Sequence, residues 1–143
     1  MSMYLQDISA GPNATVIPVT GIAGKLWTSP SSAPSSSRTT PSPKTPDSNS
    51  APIGRLQGIY VTSGLNGLNS HVSVSIVFTN KVYNGITLEL QGNSKQFEGV
   101  REASVVFGTG KFRFARGYAT FETYFLDLPN AYSVIRCNVT VLH

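Results

Sequence analysis

The chain has 143 residues, room for one domain with a real core, and only 13% of them are charged, with a net charge of +4. Its lysines and arginines are scattered, which argues against a nucleic-acid partner, and no run approaches the ~18 apolar residues of a membrane span. One cysteine, Cys137, excludes an internal disulfide and a cysteine zinc cluster, and His71 and His143 stand apart without metal-ligand spacing.

The chain opens MSMYLQD, without the basic and apolar regions of a signal peptide. Over residues 3–9, Met3, Leu5 and Asp7 alternate with Tyr4, Gln6 and Ile8, the period-two pattern of a strand. A polar loop follows at 9–14, then an extended piece at 15–19 that Pro18 confines to an edge or bulge. Residues 21–27 are apolar but broken by glycine. From Thr28 to Pro52, 19 of 25 residues are Ser, Thr or Pro, and none is a large aliphatic or aromatic residue. Such a stretch cannot bury enough surface to offset its ordering entropy, so it reads as an exposed low-complexity loop interrupting one domain at about 28–52.

The β pattern then returns. Strands are expected at 56–62, 71–79 and 86–90, with turns at 63–67 and 80–85 and a loop at 91–98. Residues 101–123 read as a hairpin: Val105, Val106 and Phe107 lead into Gly108-Thr109-Gly110. Phe112 and Phe114 would then share one strand face, with Lys111 and Arg113 on the other. A turn at 127–130 and a strand at 131–142 end the chain, and Cys137 reads as a small core residue. Many short strands argue an all-β sandwich or barrel, which pattern alone does not separate.

The stretch REASVVFGTGKFRFARGYA, from Arg101 to Ala119, resembles the signature of the plant dirigent proteins. Tyr4-Leu5-Gln6-Asp7-Ile8 with Gly11-Pro12-Asn13-Ala14-Thr15, then Ile53 to Tyr60, then Phe78-Thr79-Asn80 to Leu88, resemble three further family segments in the family's order. The opening also resembles the dirigent domain of grass dirigent–jacalin chimeras. The resemblance implies an all-β fold, an eight-stranded antiparallel β-barrel of the allene-oxide-cyclase type. Where this chain has its Ser/Pro stretch, the family carries an apolar strand ending close to V-F-V-V-D-D-P-I-T-E-G. A coding sequence for Asp-Asp-Pro-Ile-Thr-Glu-Gly read one base late gives Thr39 to Lys44 as they stand, so one strand is expected to be lost to a frame shift.

No catalytic triad, metalloprotease motif or phosphate-binding loop is present. The resemblance implies stereoselective coupling of phenoxy radicals in lignan biosynthesis and plant defence. A separate oxidase, laccase or peroxidase, makes the radicals; relatives act on quinone methides, including isoflavonoid dehydration to pterocarpans. It implies no cofactor and no metal, a small phenolic substrate, and a homo-oligomer, a trimer or otherwise a dimer, without membrane or nucleic acid. On this reading the protein is not an enzyme in the sense of owning a redox centre. Position by position, Asp7 is implied as the acid or base and Arg101 as the orienting cation, with Tyr60 and Thr123 as substrate-binding residues. Their bland counterparts are a loop-capping aspartate, an arginine paired with Glu98 or Glu102, a rim tyrosine and an ordinary strand threonine. Arg116 reads as structural. Ser94 stands where lignan-forming members have an aspartate, and the acidic pair of the altered segment is missing. The family implies the apoplast, with the cytoplasm as the alternative for a signal-less chain. A non-catalytic defence module of a lectin chimera and an inactive frame-shifted product are the alternative functions. Asn13-Ala14-Thr15 and Asn138-Val139-Thr140 are glycosylation sequons.

Overall fold

Period-two alternation becomes antiparallel sheet along most of the described chain. The structure is a computed structural model that describes residues 1–16, 37–40, 52–63, 68–96 and 98–142, of which 37–40 by backbone alone. The strands are β1 (Ser2–Ile8), β2 (Ser37–Thr40), β3 (Gly54–Thr62), β4 (Asn69–Phe78), β5 (Thr87–Lys95), β6 (Val100–Gly108), β7 (Arg116–Asp127) and β8 (Tyr132–Leu142). Seven of them are full-length antiparallel strands of seven to twelve residues that curl into a barrel wall. Each pairs with its neighbour in sequence, and β8 returns to β1 through Ser2↔Asn138 to Ile8↔Tyr132.

The remaining gap, between β1 and β3, is bridged by β2, which is four residues long and pairs on one side through Tyr4↔Thr40 and on the other through Arg38↔Arg55. It occupies the position that the resemblance assigns to the missing apolar strand. The rest of the 28–52 segment, apart from residues 37–40 and 52, lies outside the described residues.

Register decides what the barrel holds. Gly54↔Phe78, Leu56↔Ile76 and Gly58↔Val74 set one inward series, and Leu90↔Val105, Ala103↔Ala119 and Phe121↔Cys137 set another. Met3, Ile76, Phe78, Leu88 and Leu90 are at most 1% exposed. Full burial of such side chains is worth roughly 1.5–3 kcal/mol each, so this cluster dominates the stability of the fold. Cys137 is buried within it, as expected, and burial pushes its thiol up to about 12.

Three sequence expectations change. Gln91 to Lys95 continue β5 instead of forming a loop, because Val72↔Gly92 and Ser70↔Ser94 extend the ladder with β4. Residues 15 and 16 are not strand, and 17–19 lie outside the described residues. Phe112 and Phe114 do not share a strand face. Gly110 turns left-handed at φ +55, a 3-10 turn runs over Gly110–Phe112, and Phe114 is itself left-handed at φ +66. That path buries Phe112 and leaves Phe114 78% exposed, so β7 begins only at Arg116.

Candidate active site at the open end of the barrel

Inward-facing positions change from apolar to polar toward the same end of the barrel on β1, β3, β6 and β7. On β3 the order is Leu56, Gly58, Tyr60, Thr62; on β6, Val105, Ala103, Arg101; on β7, Ala119, Phe121, Thr123. On β1, Met3 and Leu5 precede Asp7 on the same face. One end of the barrel is therefore plugged. There Phe112 packs on Phe78 at 5.6 Å and on Tyr83 at 5.4 Å between ring centroids. The opposite end gathers Asp7, Tyr60, Thr62, Arg101 and Thr123.

Asp7 sits near the end of β1, and the loop after it folds back on the strand. The Thr15 hydroxyl donates to Asp7 Oδ1 at 2.6 Å, and the Ile8 amide donates to Thr15 Oγ1 at 2.8 Å. The Thr15 amide in turn donates to the Ile8 carbonyl at 2.7 Å. Burial pushes the Asp7 carboxyl above its ordinary range, opposed by the Thr15 hydroxyl and the Ile8 backbone, which favour the charged form. Tyr60 is pushed up to about 12, first by burial and then by the nearby Asp7 charge. Its phenol is thus a neutral donor throughout the physiological range.

Arg101 lies across the opening on β6. Its Nη2 donates to Thr123 Oγ1 at 3.0 Å. Its Nε is buried without a hydrogen-bond partner among the described residues, as is Thr62 Oγ1. Burial lowers the Arg101 pKa, but a guanidinium so far above neutrality stays charged. Glu98 pairs with Lys95 at 3.1 Å, and Arg136 pairs with Glu122. The first pair takes one of the two acids expected to neutralise Arg101. Glu102 is exposed on the other face of β6, one residue from Arg101. What remains is a half-buried cation with unspent donor capacity, at the same end of the barrel as a carboxyl whose pKa burial raises. Such an opening can hold a flat phenolic molecule by its oxygens and pass a proton to it.

All four sequence-identified positions line this end, as two pairs: Asp7 with Tyr60, and Arg101 with Thr123. Thr15 and Thr62 were not legible as site residues. Thr15 reads in sequence as the last residue of a sequon. Its one useful signal is a Gly11-Pro12 turn short enough to bring it back to the end of β1.

A family model described as "Dirigent-like protein" matches residues 1–142. Dirigent protein 1 from Arabidopsis thaliana is 37% identical over 68% of this chain and 53% of its own length. Pterocarpan synthase 1 from Glycyrrhiza echinata is 31% identical over 100% of this chain and 77% of its own length. Dirigent protein 17, also from Arabidopsis thaliana, is 34% identical over 68% of this chain, and the match spans only 36% of that protein. Among solved structures, the pterocarpan synthase dirigent protein GePTS1 superposes with a TM-score of 0.86 at 28% identity, over 100% of this chain and 83% of the other. The pterocarpan synthase dirigent protein PsPTS1 gives 0.85 at 26% identity, over 100% and 93%. These matches correct one expectation. Relatives that align with the whole chain include ones named as synthases, so the view that a protein of this kind is not an enzyme does not stand.

Proposed function

The chain belongs to the dirigent family, and from that premise we propose that it serves stereoselective phenylpropanoid-related chemistry, as a ring-closing dehydration of a phenolic alcohol of the pterocarpan type. The observation that carries this reading is Asp7, a carboxyl that burial holds above its ordinary value at the polar end of a barrel whose other end is filled with apolar side chains. Protonated Asp7 gives its proton to the departing hydroxyl, which leaves as water. The electron pair of the substrate's para or ortho phenolate, its proton already lost to solvent, fills the vacated carbon, giving a neutral quinone methide. A second phenolic hydroxyl of the same molecule attacks that carbon, and its proton returns to the Asp7 carboxylate. Water is the only by-product, and the acid is regenerated. Tyr60 donates to a substrate oxygen, and Arg101 steadies the oxygen that becomes negative as the quinone methide collapses. The chiral wall permits attack on one face only, which is a proximity effect.

Phenoxy-radical coupling with a separate oxidase is the second reading, favoured by the relatives named dirigent protein. One experiment separates the two. The purified chain is incubated with a 2'-hydroxyisoflavanol without oxidant and, separately, with coniferyl alcohol plus laccase, and products are resolved by chiral chromatography. Dehydration to one enantiomer without oxidant is expected. Asp7→Asn is expected to cost about 10²–10⁴-fold in turnover, the usual worth of a positioned acid. The rate should fall as pH rises through the raised Asp7 pKa, since the protonated form is the active one. No enantiomeric excess in the first mixture with excess in the second would replace this reading by the other.

A further inference from the structure

The hydrogen bonds around Thr15 have a fixed polarity. A threonine hydroxyl has one proton to give and lone pairs to accept with. The Ile8 amide, 2.8 Å away, can only donate, so it occupies a lone pair of Thr15 Oγ1. The hydroxyl proton is left to choose between Asp7 Oδ1 at 2.6 Å and the Ile8 carbonyl at 3.3 Å. The Asp7 oxygen is the nearer of the two and belongs to a carboxylate, the stronger acceptor, so the proton goes to Asp7 Oδ1. An oxygen that accepts a bond as short as 2.6 Å is made less basic by it, so protonation is favoured at the other carboxyl oxygen, Oδ2.

We propose that Thr15 is the positioning residue of the acid: by donating to Oδ1 it confines the transferable proton of Asp7 to Oδ2 and locks the carboxyl's rotation. It does not touch substrate and acts only through Asp7. The inference rests on the reading of Asp7 as the acid, and deepens it. Without this lock a protonated carboxyl has two equivalent oxygens and can turn its proton toward the loop. With it, Oδ1 is the favoured acceptor and Oδ2 the favoured donor, which spares the reaction a reorganisation.

Thr15 shares the Asp7 carboxyl with the Ile8 backbone, which a Thr15 substitution leaves in place. On β8 the residue opposite Asp7 is the neutral Ser133. Tyr60 on β3 is the titratable group that bears on Asp7 among the described residues, and its phenol is neutral in the working range. Arg136 on β8 and Glu122 on β7 pair with each other. Arg101 on β6 is held by Thr123 on β7. For β2 only the backbone is described.

The test compares wild type, Thr15→Val and Thr15→Ser by carboxyl ¹³C NMR titration of Asp7 and by the pH profile of the dehydration. Thr15→Val keeps the shape and removes the donor, so a bond that favours the charged form is lost. The Asp7 midpoint should then rise by about one unit. Turnover should fall about tenfold with KM little changed, and the alkaline limb should move up with the midpoint. Thr15→Ser restores the donor and should return both midpoint and turnover to near wild type. An Asp7 midpoint in Thr15→Val equal to that of wild type would overturn the proposal, as would a shift of the same size in Thr15→Ser. The titration needs no substrate. A wild-type protein that dehydrates nothing while Thr15→Val still moves the Asp7 midpoint would refute the dehydration reading and support the lock.

Discussion

Asp7 is costly where it stands, and the cost has a sign. Its folded-state pKa lies above the ordinary carboxylate value of 3.8 because burial disfavours the charged form. The folded state therefore holds the proton longer than the unfolded one, and the stability this confers is complete below 3.8 and lost as pH rises through the folded pKa. Asparagine has no charge to desolvate. Asp7→Asn should thus unfold at a higher urea concentration than wild type at pH 7, and the difference should shrink on acidification through the folded pKa. The same substitution is expected to cost about 10²–10⁴-fold in turnover of the proposed reaction. A residue whose replacement stabilises the fold while removing the activity is retained for its chemistry. An Asp7→Asn protein that is less stable at pH 7 would instead mark the aspartate as a structural cap.

At the scale of the element, β3 shows how closely the strands must approach to bring Tyr60 to the opening. Gly58, two residues earlier on the same face, has φ +150, and a Cβ there would lie 2.3 Å from the Ser73 carbonyl oxygen and 2.6 Å from Val74 Cα. Both are backbone atoms, so no side-chain rotation relieves the clash. Gly58→Ala should cost about 3 kcal/mol or more by urea unfolding. Gly11→Ala, also at positive φ but with nothing within 4 Å of the new methyl, should cost only about 1 kcal/mol. Equal costs would mean that β3 can shift away from β4. This element also marks what sequence could and could not convey. Alternation from Leu56 to Thr62 was enough to place the strand, and a family motif was enough to bring Tyr60 into the site. Neither could reveal that Phe114 leaves the strand pattern, because its alternation with Phe112 is intact and only the backbone angles break it. Nor could they reveal Thr15, whose partner lies in a different local structure. Contacts that depend on a loop's return path have no period to read. The extension of β5 through Gln91, Asn93 and Lys95 was hidden for a simpler reason: polar residues on an exposed strand face look like a loop.

For the molecule as a whole, β2 is the short member of the ring. Its four residues face strands of seven and nine, so parts of β1 and β3 lack a full partner on that side. Backbone amides protected only by a short ladder open without unfolding the rest. Hydrogen–deuterium exchange should therefore be slowest in the β4–β7 wall and fastest, among strands, in β2 and the sides of β1 and β3 that face it. Uniform protection around the ring would show that four residues suffice to seal the barrel.

The return of β8 to β1 has a further consequence. Every other pairing joins strands that follow one another along the chain, so each can form as a local hairpin or loop closure. The β1–β8 seam joins residues such as Ser2 and Asn138, 136 positions apart. Bringing those ends together carries the largest entropic penalty of any pairing in the ring, and little rewards it until the intervening wall is in place. The seam is thus expected to form last in folding, and Asp7 lies on it, opposite Ser133. Before it closes, Asp7 on β1 and Tyr60 on β3 lie toward one margin of the growing wall and Arg101 and Thr123 toward the other, so the four positions come to share one end only when the cylinder shuts.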